Sequence, residues 1–306
     1  MVRNFLFHRV SPQRDLLWDP MSVELFDKCI GYITNKYKVV RFEDLIDSDK
    51  LLVENKIATI MFDDGYKDNI EYALPILNKY NCKASFYVVT DCIDKNKPTW
   101  THQLEYLFQH TNISDINIDF DFIPENMRVS SLHDTKARLK YVLQLNPILK
   151  KLPYHQLEKV IERVNNTYND IHLPKLMMNW DDLRELSKQG HYIGSHSALH
   201  STFGYASNDD FIMNELMVSG NRIMEELGYF PKTISYPVGS YNSQTKKLVK
   251  QAGYKAGLAV KQSIFNPQTT DLFEVDRIEL YNESWWKTKM RISNSLEIIK
   301  KLIKYR

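Results

Sequence analysis

Cysteine is scarce in this chain, long apolar runs are missing and the charge of either sign is nearly balanced; each of these absences excludes a class of protein. There are 3 cysteines in 306 residues, Cys29, Cys82 and Cys92, without CxxC spacing. An odd number closes no disulfide framework, so they read as reduced thiols, with Cys82 and Cys92 flanking a strand. No apolar run approaches membrane-spanning length, and Arg3 and Arg9 enclose too short an apolar stretch for an export signal. The expectation is a chain that starts here and stays in the cytoplasm. A net charge of +2 argues against dedicated nucleic-acid binding. Internal repeats and low-complexity segments are also lacking. What is present, 43% hydrophobic and 25% charged residues, suffices for a substantial core, in one large α/β domain or two smaller ones.

Along the chain, strand patterns alternate with helix patterns. Arg3 to His8 reads as a strand, and Ser22 caps a helix with Val23, Phe26 and Ile30 on one face. Ile57 to Phe62 is the near-continuous apolar run of a buried parallel strand. From Asp68 a helix carries Ile70, Ala73, Leu74 and Leu77 at helical spacing, and Ala84 to Val89 returns as a strand. Asn179 caps a helix stopped at Gly190, followed by a strand from Tyr192 to His196. A helix from Asp209 to Leu227, a strand from Thr233 to Tyr236, a helix ending at Gly253 and a strand from Tyr254 to Val260 complete the series. Such alternation predicts a parallel sheet or barrel with helices outside. The beat breaks between residues 95 and 178. There Ile116 to Phe122 alternates like a strand and Ala137 to Val164 reads as helix interrupted by Pro147 and Pro153, an insertion suited to a lid or side wall.

Two segments carry the chemistry. As a bare tripeptide Asp63-Asp64-Gly65 is an ordinary turn, but it ends an apolar strand, which places two carboxylates pointing in different directions at the C-terminal rim of a parallel barrel. His196 and His200, four apart, would share one face of a helical turn, a common way to hold Zn²⁺ with a third ligand from elsewhere. One Asp and two His leave coordination positions open, as catalytic sites do, although a redox iron site uses the same set.

The segments Thr59-Ile60-Met61-Phe62-Asp63-Asp64-Gly65, His196-Ser197-Ala198-Leu199-His200 and Ser235-Tyr236-Pro237-Val238-Gly239 resemble, in order, the first three motifs of the polysaccharide deacetylase family, also called the NodB-homology or carbohydrate esterase 4 family. His8-Arg9-Val10, Tyr72 to Leu77 and Asn179 to Leu183 extend the resemblance over roughly residues 1 to 280, outside the insertion. It implies a distorted (β/α) barrel, commonly of seven strands, filling 1–284, and hydrolysis of an N-acyl group from an amino sugar. By the same resemblance Asp64, His196 and His200 hold a divalent metal, Zn²⁺ first, Asp63 is the general base and the backbone N–H near Val238 receives the oxyanion. Ser197 reads as a local hydrogen-bonder.

The chain also departs from the family pattern. Ser235 stands where an arginine that orients the base is usual, Val238 where a tyrosine is common, and no histidine follows His200 to protonate the leaving amine. Arg277 is a substitute cation, or else an ordinary arginine paired with Asp276. His8, at the end of the first strand, is a substitute acid, or else a structural histidine. His102 is a sugar contact or a surface residue; Trp18, Trp100 and Trp180 are sugar-stacking faces or packing.

From Trp285 to Arg306 there are seven Lys/Arg and one acid, Glu297, interspersed with apolar residues. That is a basic amphipathic helix, either packed on the barrel or lying on an anionic membrane at its inner face. The expected protein is a metal-dependent amidohydrolase of an N-acylated amino sugar or oligosaccharide precursor, lipid- or nucleotide-linked. A deformylase of such a sugar and a non-catalytic, metal-containing sugar-binding protein are the alternatives; the oligomeric state is not legible.

Overall fold

A computed structural model describes residues 1–47, 56–205, 208–297 and 299. The first half runs β1 (Val2–Phe7), α1 (Val23–Lys36), β2 (Lys38–Val39), α2 (Phe42–Ile46), β3 (Ile57–Phe62), α3 (Leu74–Lys79), β4 (Ser85–Val88) and α4 (Thr90–Lys95). Then come the insertion, with α5 (Trp100–His110), β5 (Asp115–Asn117), α6 (Glu125–Arg128), β6 (Val129–Ser131), α7 (Thr135–Leu149) and α8 (Tyr154–Thr167), and the return to the barrel at α9 (Trp180–Lys188). The series closes with β7 (Tyr192–Ser195), α10 (Asp209–Leu227), β8 (Thr233–Ser235), α11 (Ser243–Gln251), β9 (Ala256–Leu258), β10 (Ile278–Glu279) and α12 (Trp285–Ile292).

Seven strands form a distorted parallel half-barrel in the order β10-β1-β3-β4-β7-β8-β9, and β2 pairs beside the start of β3. A parallel bridge between Leu258 and Val275 links the two ends of the sheet. β3 shows why its sequence is apolar throughout. Ala58, Ile60 and Phe62 face outward under the helices with Phe26, Leu77 and Leu183, whereas Ile57 and Met61 face the interior with Tyr87 and Leu258. The strand period of two then carries Asp63 inward.

The interior is only partly apolar. Near one end the buried carboxylate of Glu43 accepts hydrogen bonds from Ser85 (2.6 Å), Tyr87 (2.8 Å) and Thr233 (2.6 Å), where Ser85 and Thr233 open their strands. Gly194 is required beside this network, because a Cβ there would lie 2.5 Å from the Tyr87 ring.

The expected caps are present at Ser22 and Asn179, and α10 ends at Gly228 in left-handed backbone. The helix expected from Asp68 instead begins with a π-helical turn, Asn69–Ala73, before α3. In the insertion the ladder from Ile116 stops at Asn117. Phe120 and Ile123 N–H groups turn back to the Ile118 and Phe120 carbonyls; Phe120 stacks on Phe122 at 5.1 Å, and both pack against the cluster that buries Ile116 and Ile118. The helical stretch is two helices: Pro147 lies within α7, and Pro153 caps α8. They enclose a cluster of their own that includes Leu104, Phe108, Val142, Leu145, Leu157 and Val160.

The helix expected over 285–306 runs to Ile292, breaks at Ser293 and Asn294, where Asn294 has a left-handed φ of 63°, and is helical again at 295–297 and 299; residues 298 and 300–306 lie outside the described residues. Trp285 packs edge-on against Tyr32 of α1 at 5.5 Å. Among the described residues no helix is long and apolar enough to cross a membrane.

Candidate active site

Two strand ends and one tight loop build the site. After β3 the chain must turn, and Asp64 (φ 75°) and Gly65 (φ 91°) both take left-handed backbone, which sends Asp64 away from Asp63. After β7 the segment from His196 to His200 is a non-helical loop, contrary to the helical turn that the spacing suggested; Ser197 (φ 68°) and His200 (φ 59°) are left-handed. The physical reason is the buried carboxylate of Glu215 on α10. It accepts the Leu199 N–H and the Ser201 hydroxyl, each at 3.0 Å, and so ties the loop to α10. Ser197 Oγ accepts the His200 N–H at 2.9 Å, and the Trp100 indole donates to the His200 carbonyl at 3.0 Å.

Asp64, His196 and His200 converge as a buried cluster of potential metal ligands. Asp64 Oδ1 lies 3.3 Å from His196 Nε2 and 3.4 Å from His200 Nε2. Donors about 2.1 Å from a four-coordinate ion stand roughly 3.4 Å apart, so the spacing suits one. The protein leaves these atoms available: Asp64 Oδ1 is buried without a hydrogen-bond partner, and His196 Nδ1 donates to the Ser235 carbonyl at 2.8 Å, which turns the Nε2 lone pair inward. Burial presses the His200 pKa down to about 3, keeping that imidazole neutral and able to ligate. Burial also disfavours a charged His196, yet the Asp63 and Asp64 carboxylates outweigh it and raise its pKa; the site attracts positive charge. The donor set therefore fits a divalent metal.

Asp63 sits beside this cluster in a different environment. Arg277, fully buried, donates from Nη1 to Oδ1 and from Nη2 to Oδ2, both at 2.9 Å. Ser235 Oγ adds a bond to Oδ2 at 2.8 Å and itself accepts from Arg277 Nη2 at 2.8 Å. Arg277 Nε is anchored on the Ala259 carbonyl. Burial opposes ionisation of Asp63, but the guanidinium more than compensates and holds the carboxyl below its ordinary range. The partner of Arg277 is thus Asp63, and the small Ser235 leaves room for an arginine arriving from the neighbourhood of β10.

One cavity of about 250 Å³ is lined by Asp63, Asp64, His196, His200, His8 and Val238 together. His8 Nδ1 lies 3.5 Å from Glu279, and the His8 ring meets Trp18 edge-on at 5.4 Å. Val238 has a left-handed φ of 49°, rare for a β-branched residue; the next two N–H groups, of Gly239 and Ser240, are spent on the Tyr236 and Pro237 carbonyls, and that of Val238 takes no part in either bond.

Other candidates fall differently. His102 is buried, with its Nδ1 2.9 Å from the Tyr66 hydroxyl, and is not a surface residue. Trp100 and Trp180 are buried, whereas Trp18 lines the cavity. Sequence reasoning missed Glu279, and missed Thr101, Glu105 and Lys150, which the insertion contributes to the cavity wall. Glu215 carried a signal: it interrupts the otherwise apolar or small stripe Ile212, Leu216, Ser219 and Ile223 of α10.

The chain belongs to the polysaccharide deacetylase family, whose model matches residues 52–257. It is 30% identical over 108 residues to YxkH of Bacillus subtilis, a protein named after the same family; the match covers 34% of this chain and only 38% of that relative's length. Among solved structures, the deacetylase PplD of Streptococcus pyogenes, in complex with acetate, superposes with a TM-score of 0.62 at 17% identity over 97% of this chain and 96% of that one. IcaB from Ammonifex degensii gives a TM-score of 0.63 at 14% identity over 95% and 96%. At these identities the structures support the shared fold. Fold, family and the Asp64, His196, His200 cluster are together consistent with a metal-dependent amidohydrolase.

Proposed function

We propose that this protein removes an N-acyl group, acetyl first, from an amino sugar or glycan precursor, using a divalent metal held by Asp64, His196 and His200, with Zn²⁺ favoured by the one-oxygen, two-nitrogen donor set. The observation that carries the proposal is the Asp63 carboxylate, kept ionised by Arg277 at the edge of the metal cluster. A protein that only bound sugar would have no use for a base there.

When bound, the metal would supply Lewis acidity, polarising the amide carbonyl and making water easier to deprotonate. Asp63 takes a proton from the attacking water as its oxygen bonds to the carbonyl carbon. Arg277 and Ser235 fix the plane of that carboxylate, so one oxygen lone pair is presented to the cavity without a search among rotamers. The Val238 N–H receives the negative charge that develops on the carbonyl oxygen. His8, positioned by Glu279, delivers a proton to the sugar nitrogen as the C–N bond breaks, leaving a free amine and a carboxylic acid.

The test is release of acetate and of formate from a panel of N-acylated amino sugars by metal-loaded enzyme, alongside metal analysis of wild type and His196→Ala. Acetate release by wild type, with metal lost from the variant, is the expected result. Formate release alone would make the enzyme a deformylase, and bound metal without release from any substrate would make it a binding protein.

A further inference from the structure

The catalytic cavity does not end at the metal cluster. A second cavity adjoins it, and Lys150, Val238 and Gly239 line both. Its remaining walls include Lys151 at the end of α7, Tyr205 and Tyr241. The two cavities differ in charge. The first is lined by the carboxyl groups of Asp63, Asp64, Glu105 and Glu279, whereas the second has two lysines and no acidic residue in its lining.

Lys150 is half-buried, and among the described residues no carboxylate lies within 4 Å of the ammonium of Lys150 or Lys151. Lys261, the other cation nearby, is paired with Glu274 and reaches toward the Tyr241 ring at 5.9 Å. Tyr241 is stacked on the buried Tyr236 at 4.7 Å, which fixes its ring in the wall. Two adjacent lysines, Lys150 half-buried with the Glu105 carboxyl as its electrostatic counterpart and Lys151 exposed, line a cavity joined to the reaction cavity and suit a multiply charged oxyanion.

We infer that this second cavity is a subsite for a phosphate or diphosphate group carried by the same substrate, so that the enzyme acts on a phosphate-linked amino sugar. The inference rests on the proposed deacylation for the identity of the sugar, but the subsite itself is tested by binding. Metal must be removed first, because phosphate would otherwise ligate it. Calorimetric titration of chelator-treated, full-length protein compares a neutral N-acetylhexosamine, a nucleoside diphosphate N-acetylhexosamine and a short isoprenyl diphosphate N-acetylhexosamine. At least one diphosphate compound binds ten or more times tighter than the neutral sugar, Lys150→Met removes that advantage, and Lys150→Arg retains most of it. Preference for the nucleoside or the isoprenyl compound identifies the source of the phosphate. Equal affinity of all three ligands, no detectable binding of either diphosphate, or an unchanged advantage in a folded double variant Lys150→Met, Lys151→Met overturns the inference. None of these outcomes depends on turnover, so failure of the deacylation reading is seen separately.

Discussion

Two of the carboxyl groups buried in this half-barrel, those of Asp63 and Glu43, are treated in opposite ways. Asp63, following the C-terminal end of β3, faces a guanidinium; Glu43, among the first residues of β4 and β8, faces three hydroxyl groups. Burial disfavours charge at both, but Arg277 reverses the balance at Asp63 and lowers its pKa, whereas the hydroxyls only partly offset burial at Glu43, whose pKa is raised. A full positive charge commits a carboxyl to its ionised form, while neutral donors satisfy it in either state. The first arrangement suits a base that must be ionised when substrate arrives. The second suits a polar plug in the barrel interior.

The largest expected effect comes from Asp63→Asn. Loss of a positioned general base lowers kcat/KM by about 10³-fold, within the usual range for such groups, measured as acetate release. Next is Arg277→Met, which strands the Asp63 carboxylate in the interior. Removing one partner of a buried pair costs about 3–5 kcal/mol, and loss of orientation costs roughly 10²-fold in kcat/KM; urea unfolding and kinetics on one preparation check both. A variant that unfolds with wild-type midpoint would mean that the pair contributes little.

Gly194→Ala places a methyl 2.5 Å from the Tyr87 ring that donates to Glu43, and is expected to destabilise by about 1–3 kcal/mol through overpacking. Glu43→Gln is the smallest change, about 1 kcal/mol, because an amide still accepts hydroxyl protons. Its diagnostic is the pH dependence. Since the folded pKa of Glu43 is above the unfolded value of 4.5, its proton favours the folded state; that stabilisation is complete below 4.5 and is lost as pH rises through the folded value. The stability of wild type relative to Glu43→Gln should therefore fall with pH above 4.5, and a difference that rises instead would assign Glu43 a lowered pKa.

The parts of this comparison legible in the sequence were local. The apolar run Ile57 to Phe62 ending in two acids gave the strand and its rim position, and the caps at Ser22 and Asn179 gave helix starts. The Asp63–Arg277 pair joins residues 214 apart through strands that are neighbours only by way of β1, so Arg277 was readable as a spare cation but not as the specific partner of Asp63. Similarly, a spacing of four between histidines does not distinguish a helical turn from a loop in which two non-glycine residues are left-handed; Glu215 decides it from another helix. The contributions of Glu279, Glu105 and Lys150 to the cavity depend on how β10 and the insertion pack, which no local pattern encodes.

The central claim is a division of labour between adjacent residues, Asp64 for the metal and Asp63 for the proton. Metal content and acetate release measured on one preparation of Asp63→Asn test it most directly. Wild-type metal content with release reduced about 10³-fold is the predicted result; loss of the metal, or full release, would contradict it.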